Sequence, residues 1–374
     1  MPNQLFSVKV MLISLVPAYY QVDACIVLPT INEADNLRIL LPMLRNYLAD
    51  YDWFIVVVDD GSTDGTQDVV MEFARVTNRA ELIERGAKLG LGSAIKTGMR
   101  ACLDKGANSI VVMDADLQHP PDVVPNLVKA VLVNGVDLAI ASRYVKGGGI
   151  VGWSFKRLAI SKGATYMARL LMPWTRSIKD PISGFFAVNA GKLRGVIDML
   201  SDSSGYKLIL ELLTLFHVKY GNSLRVVEVP YIFRNRAYGV SKLGTHELIN
   251  YALLVLKLSN YSVPKYLVSL LIGSIIGYFL FNLSSSLNPI AGNLISIELS
   301  LITVITIYQL LMGMKPQLQY YIKYHLIKYV AVAVKLLLYM ASTPVVIALI
   351  ISGVIQLLMT LGIITVNPTA VHVL

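Results

Sequence analysis

From Asp23 onward, short apolar runs alternate with longer segments whose apolar positions recur at helical spacing. Ala24–Pro29 reads as a buried strand, Glu33–Leu48 as a helix and Phe54–Val58 as a second strand, followed by a helix from Thr63 to Val76. A strand over 80–84, a helix over 91–104, a strand at Ile110–Met113 and another at Asp137–Ser142 continue the alternation. Such a pattern predicts an open, mostly parallel α/β sheet, with ligands bound beyond the carboxyl ends of its strands. Past residue 260 the pattern becomes nearly all apolar and predicts four membrane-spanning helices, near 265–284, 290–312, 323–341 and 344–366. The stretch from Tyr266 to Ile297 carries no charge, but Ser284–Pro289 breaks it, so two helices fit it better than one.

Composition sharpens this division. Of the 374 residues 55% are apolar and only 15% charged, below the share expected of a water-soluble domain. Five Lys and one Glu are the whole charge of residues 261–374, which leaves 28 basic and 23 acidic residues before them. The expected organisation is an N-terminal extension (1–22), an α/β domain (23–243), an interfacial helix or linker (244–262), an all-α four-helix transmembrane domain (263–366) and a short tail (367–374). The extension is apolar over 10–20 but lacks the small-residue cleavage site of a signal sequence. Cys25 and Cys102 are far apart in sequence and in apolar surroundings, so no disulfide framework or zinc site is expected. The net charge of +9 suits anionic lipid or a phosphorylated substrate. No finger spacing or basic–aromatic ribonucleoprotein signature accompanies it, so nucleic acid is not an expected partner.

Residues 143–179 hold eight Arg and Lys and no Asp or Glu, interleaved with Trp153, Phe155, Tyr166 and Trp174. This basic, aromatic stretch predicts an interface helix at about 150–172 on an anionic membrane surface. Leu248–Leu258 is a second candidate. Lys315, Lys323 and Lys328 cluster around the loop between the second and third spans, which places that loop and the α/β domain on the cytoplasmic side. Glu298 and Lys335, the deepest charges, are expected to face one another.

Chemistry concentrates at the strand ends. Asp114-Ala115-Asp116-Leu117-Gln118 sets two carboxylates and an amide oxygen where they reach one hard cation, Mg²⁺ or Mn²⁺, completed by a nucleotide diphosphate. Asp59-Asp60 is a second acidic strand end. Gly90-Leu91-Gly92-Ser93 lacks the third glycine and the leading strand of a dinucleotide fingerprint. His119, before two prolines, reads as rigid loop, and Glu211 on an apolar helix as a structural partner.

Pro29-Thr30-Ile31-Asn32-Glu33, Asp59-Asp60-Gly61-Ser62, Asp114 through Pro121, Ser142-Arg143-Tyr144 and Gly239-Val240-Ser241-Lys242-Leu243 occur in that order. Together they resemble the dolichyl-phosphate mannose synthases of glycosyltransferase family 2, and Lys146–Arg157 with its glycine run is most similar to archaeal members. Residues 265–366 resemble, less specifically, a GtrA-like membrane domain. The resemblance implies a GT-A-type, Rossmann-like fold and an inverting, metal-dependent transfer of mannose from GDP-mannose to dolichyl (polyprenyl) phosphate at the cytoplasmic face of the cell membrane. It implies nucleotide contacts at Pro29, Ile31, Glu33, Val58 and Asp60, although Ile31 stands where the family usually has Tyr. Asp114, Ala115, Asp116 and Gln118 match the diphosphate-sugar positions, with Asp114, Asp116 and Gln118 as metal ligands. Arg143, Arg236 and Lys242 match cations around the phosphates, Arg143 with the two aspartates as catalytic residues. Arg143, Arg157 and Ser161 match the acceptor-phosphate site, and Asp180–Phe185 an acceptor-side loop. Membrane lipids are the other expected partners, and no protein partner is evident. UDP-glucose is the rival donor, and a lipid-translocation protein with a non-catalytic nucleotide-sugar domain is the rival of another class.

Overall fold

The computed structural model describes residues 22–202, 208–234, 245–285 and 289–340. The chain begins as an alternation: β1 (Ala24–Thr30), α1 (Ala34–Tyr47), β2 (Trp53–Asp59), α2 (Thr66–Thr77), β3 (Ala80–Glu84), α3 (Leu91–Asp104), β4 (Ser109–Val112), α4 (Val124–Leu132) and β5 (Leu138–Ser142). It continues through β6 (Gly149–Ile150), α5 (Phe155–Leu171), β7 (Phe186–Asn189), α6 (Ala190–Arg194), α7 (Leu208–Tyr220), β8 (Val226–Pro230) and β9 (Ile232–Phe233). Four helices follow: α8 (Thr245–Leu258), α9 (Ser262–Ser285), α10 (Pro289–Leu311) and α11 (Leu318–Met340).

The main sheet has the order β3-β2-β1-β4-β7-β5-β8. β1 is buried along its whole length, as a strand covered on both faces must be. Only β7 runs antiparallel, between β4 and β5. Strand order changes direction between β1 and β4, so the crevice beyond their carboxyl ends is where such a sheet binds ligands. Val27, Val58 and Ile110 pack with α3 and α7 on one face, and Ile26, Leu28 and Ile55 with α1 and α4 on the other.

The expectation for the cysteines is overturned. Cys25 on β1 and Cys102 on α3 form a disulfide across 77 residues, with Cα atoms 5.7 Å apart. Gly98, one turn before Cys102, explains the approach: a Cβ there would lie 2.4 Å from the side chain of Val27. Val27 and Cys25 share a face of β1, so the helix that rests its bare glycine on Val27 lowers Cys102 onto Cys25.

α5 covers the predicted interface stretch and starts on Ser154, whose Oγ accepts the Arg157 N–H. It packs on α8 and α7 through Ala168, Leu171, Leu210, Tyr251 and Val255, and the Tyr251 hydroxyl donates to the Ala164 carbonyl. Phe155, Tyr166, Ile249 and Leu253 remain exposed on these helices.

Among the described residues, one helix, Ser262–Leu280, is long and apolar enough to cross a membrane, and Ile295–Leu311 is a shorter apolar helix. α9, α10 and α11 occupy the first three expected spans, and the fourth lies outside the described residues, as does nearly all of the N-terminal extension. α9 meets α10 closely because a Cβ at Gly273 would stand 2.3 Å from Val304, and the Ser300 hydroxyl donates to the Gly273 carbonyl.

The side chain of Lys335, the partner expected for Glu298, lies outside the described residues, and among the described ones Glu298 pairs with Lys328 and His325. Lys328 Nζ lies 2.9 Å and His325 Nδ1 3.3 Å from its carboxylate. Tyr266, Tyr308 and Tyr324 pack together across α9, α10 and α11, and in this register Glu298 lies opposite the third turn of α11. Glu298→Gln and Lys328→Met are each expected to lower stability in detergent by about 1 kcal/mol. The double variant should lose clearly less than the sum, read from thermal unfolding; strictly additive losses would show that the pair does not tie α10 to α11.

Candidate active site

The carboxyl ends of β1, β2, β4 and β5 share one edge, and the loops leaving them are stitched together. After β1, Asn32 adopts the left-handed region (φ 57°). Its backbone N–H donates to the Ser62 hydroxyl (2.7 Å) and its side-chain oxygen accepts the Thr63 N–H (2.8 Å). The Glu33 N–H donates to the Thr66 hydroxyl and the Ala34 N–H to Asp64, so the first motif is fixed against the loop after β2. Asp64 and Thr66 form this lock, which is why α2 starts at Thr66 rather than Thr63. Pro29 and Val58 are buried, whereas Ile31 is exposed at the rim.

Asp60 is buried, 2.8 Å from Arg85 Nε, and accepts the Gly90 N–H at 3.0 Å. Gly90 thus folds the stretch before α3 back onto the β2 end. The Arg85 partnership carried no signal in the sequence, because it joins two loops through a single ion pair.

Beyond β4, Leu117 also takes the left-handed region (φ 62°) and reverses the loop, so that the Gln118 N–H donates to Asp116 Oδ1 at 3.1 Å. Asp116 and Gln118 are buried, Asp114 is partly exposed, and Ala115 packs in the core. The Gln118 amide nitrogen donates to the Arg234 carbonyl, and the amide oxygen is the atom whose chemistry suits a hard cation. Two carboxylates and an amide oxygen on one five-residue loop fit Mg²⁺ or Mn²⁺ by donor chemistry. Among the described residues no three His, Cys, Asp or Glu side chains converge, so a ligand's oxygens would have to complete the shell.

His119 closes this loop. Its Nδ1 accepts the Asp114 N–H at 2.9 Å, and its ring stacks on Phe185 with centroids 5.0 Å apart. Burial, reinforced by the charge of Arg143 and opposed by Asp116, pushes it down to about 4, so it is an uncharged acceptor at neutral pH. It acts as scaffold, in line with its reading as rigid loop.

Arg143 follows β5 and is locked to Asp180, which is fully buried. Nε and Nη2 each reach the carboxylate at 2.7 Å, and the Arg143 N–H donates to it at 3.0 Å. Burial works against the charge of Arg143, but the hydrogen bonds and charge of Asp180 outweigh it and hold the guanidinium above its ordinary range. Glu228 on β8 in turn accepts the N–H groups of Lys179 and Asp180. Arg157 and Ser161 lie on the first two turns of α5, and the Tyr144 hydroxyl donates to Ser161 Oγ at 2.9 Å. Arg236, Lys242 and the Gly239–Leu243 motif lie outside the described residues.

Glu211 on α7 accepts the Ser201 N–H at 2.7 Å, as a structural partner would. Burial pushes its carboxyl up to about 6, against the pull of that hydrogen bond and of Lys257 and Lys96. Its folded value lies above its unfolded one, so its contribution to stability is full below about 4.5 and is lost as pH rises through about 6. We expect the unfolding midpoint to fall over this window, by the equivalent of at most about 2 kcal/mol. Glu211→Gln should flatten that slope, and an unchanged slope in this variant would assign it to another group.

Residues 25–196 match the family described as glycosyl transferase family 2. The chain is 42% identical over 226 residues to the dolichol-phosphate mannosyltransferase of Pyrococcus furiosus, a match covering 60% of each protein and thus under two thirds of that relative's length. It is 36% identical over 220 residues to the polyprenol monophosphomannose synthase of Mycolicibacterium smegmatis, covering 59% of this chain and 80% of the relative. Among solved structures, glucosyl-3-phosphoglycerate synthase of Mycobacterium tuberculosis, in complex with Mn²⁺, UDP and glucosyl-3-phosphoglycerate, aligns with a TM-score of 0.47 at 22% identity, over 63% of this chain and 78% of that one. On the sequence matches the chain belongs to glycosyl transferase family 2, a family of glycosyltransferase enzymes.

Proposed function

We propose that this protein transfers mannose from GDP-mannose to dolichyl or another polyprenyl phosphate, with inversion, at the cytoplasmic face of a membrane that it crosses four times. One observation carries the reading: the carboxyl end of the sheet bears the acidic loop of Asp114 and Asp116 after β4 and Arg143 after β5, and α5 brings Arg157 and Ser161 to Arg143 through Trp153 and Tyr144. A nucleotide sugar needs the first and a lipid phosphate the second. The names of the relatives, a dolichol-phosphate mannosyltransferase and a polyprenol monophosphomannose synthase, support mannose as the sugar transferred and a polyprenyl phosphate as the acceptor.

In this reading Pro29, Ile31, Glu33, Val58 and Asp60 receive the nucleotide, and Asp114, Asp116 and Gln118 hold Mg²⁺ or Mn²⁺ against its diphosphate. The cation, when bound, neutralises charge on the leaving group. Arg143, Arg157 and Ser161 hold the acceptor phosphate, with Arg236 and Lys242 as further cations. The acceptor is already an anion at neutral pH, so no strong general base is needed, and the residues' task is in-line alignment. One phosphate oxygen attacks the anomeric carbon as its bond to the diphosphate breaks. GDP leaves, and a single displacement inverts the centre. Guanidinium forks suit this phosphate because they stay charged and donate in pairs.

Membranes containing the protein, incubated with labelled GDP-mannose or UDP-glucose, with and without dolichyl phosphate, test the proposal. Dolichyl-phosphate-dependent labelling from GDP-mannose is expected. Labelling from UDP-glucose alone would replace the donor, and no lipid labelling from either would overturn the enzymatic reading. Arg157→Ala should raise the KM for dolichyl phosphate at least about tenfold, the scale of one charge-assisted hydrogen bond, with the KM for GDP-mannose nearly unchanged. Equal losses for both substrates would remove Arg157 from the acceptor side.

A further inference from the structure

The three residues assigned above to the acceptor phosphate stand on two separate elements. Arg143 follows β5, whereas Arg157 and Ser161 lie on α5, with the glycine run and β6 between them. Backbone bonds carry the chain from the end of β5 to β6, because Tyr231 donates to the Ser142 carbonyl and accepts the Gly149 N–H, whereas the contacts from Arg143 to α5 run through side chains. Two aromatic side chains bridge the gap. The Arg157 guanidinium carbon lies 4.2 Å from the Trp153 ring centroid, and that of Arg143 5.6 Å from it. Tyr144 faces the Arg143 guanidinium at 5.4 Å while its hydroxyl donates to Ser161. Each aromatic thus touches one group from each element.

We propose that Trp153 and Tyr144 are positioning residues that set the spacing of Arg143, Arg157 and Ser161 and so fix the site for a phosphomonoester acceptor; this rests on the functional reading above. Two guanidinium groups repel, and an indole ring within reach of both attracts each through its negative face. Its flat surface also restricts rotation of Arg157 in a way an aliphatic side chain does not. Trp153 is itself anchored, edge-on to Phe233 at 5.2 Å between centroids, and Phe233 belongs to the cluster around His119. The acceptor-side arginines and the acidic loop are therefore referred to one aromatic platform. Packing alone does not account for tryptophan here: its Nε1–H is buried without an acceptor among the described residues, a cost that phenylalanine would avoid. The turn that returns the chain from Arg143 toward Trp153 is equally constrained. Gly147 takes a positive φ of 89°, and a Cβ on Gly148 would stand 2.5 Å from the Ser142 carbonyl oxygen.

Initial rates of the full chain in detergent, with GDP-mannose and dolichyl phosphate varied in turn, test the proposal. Trp153→Leu should raise the acceptor KM about tenfold, with the donor KM within about twofold of the unmodified chain. Trp153→Phe, which keeps a smaller aromatic face, should recover part of this. Tyr144→Phe removes a single hydroxyl and should raise the acceptor KM about threefold to tenfold; it keeps the test decisive if Trp153→Leu does not fold. Acceptor-dependent transfer with an acceptor KM untouched by these variants, or with both KM values raised together, overturns the positioning role alone. No acceptor-dependent transfer by the unmodified chain overturns the functional reading on which it rests.

Discussion

Asp116→Asn is expected to lower glycosyl transfer at least about a hundredfold, equivalent to nearly 3 kcal/mol of transition-state stabilisation. Asp116 is buried and its loop is shaped by the Gln118 N–H on Oδ1 and the left-handed Leu117, so an amide of the same size keeps the fold of the loop. What it removes is a negative oxygen donor for a hard cation. Half-saturation should move to a much higher Mn²⁺ or Mg²⁺ concentration, while the KM for dolichyl phosphate stays within about threefold, well under the effect of losing an acceptor contact. Rates at fixed substrate across a Mn²⁺ titration make the measurement. Near-normal turnover of this variant in metal-depleted buffer would remove Asp116 from the metal site. Asp114→Asn tests a second feature, because Asp114 is the more exposed of the two and its backbone is pinned by His119.

β1, β2, β4 and β5 were legible because each is a continuous apolar run, and the acidic loop because its residues are adjacent, whereas β8, parallel to β5 but interrupted by Glu228, was not expected. β7 was not legible. It is four residues long, and its pairing with β4 and β5 is a long-range choice that no local pattern records. The same limit hid the counter-ion of Arg143, since Asp180 lies 37 residues onward and was read only as part of a loop. That pairing changes the electrostatic reading of the site. With Asp180 matching its charge, Arg143 acts as an oriented donor, and Arg157 adds the charge toward a phosphate. Glu298 shows the limit for helices: composition placed it in the membrane region, but pairing with Lys328 and His325 depends on how α10 and α11 are offset.

Replacing both Cys25 and Cys102 with Ala is expected to destabilise the α/β domain by about 4 kcal/mol, the chain-entropy effect of opening a loop of this length. For a domain of this size that corresponds to roughly 10 °C in unfolding temperature. The two sulfurs lie between β1 and α3, where both residues are fully buried, so the disulfide reaches reductant only after the domain opens. Folded protein in detergent should therefore show no titratable thiol, before or after brief reductant, and two once it is reduced in denaturant. A disulfide in a domain proposed to face the cytoplasm is unusual outside thermophilic cells, and burial protects it from the thiol pool. The comparison that isolates the bond is between the chain and its double alanine variant under reducing and non-reducing denaturation. A gap of about 4 kcal/mol without reductant should shrink to about 1 kcal/mol or less once the unfolded chain is reduced, because loop closure then no longer separates the two proteins. A gap that persists unchanged under reduction would mean that β1 and α3 are held by packing around Gly98, with the sulfurs as ordinary core atoms.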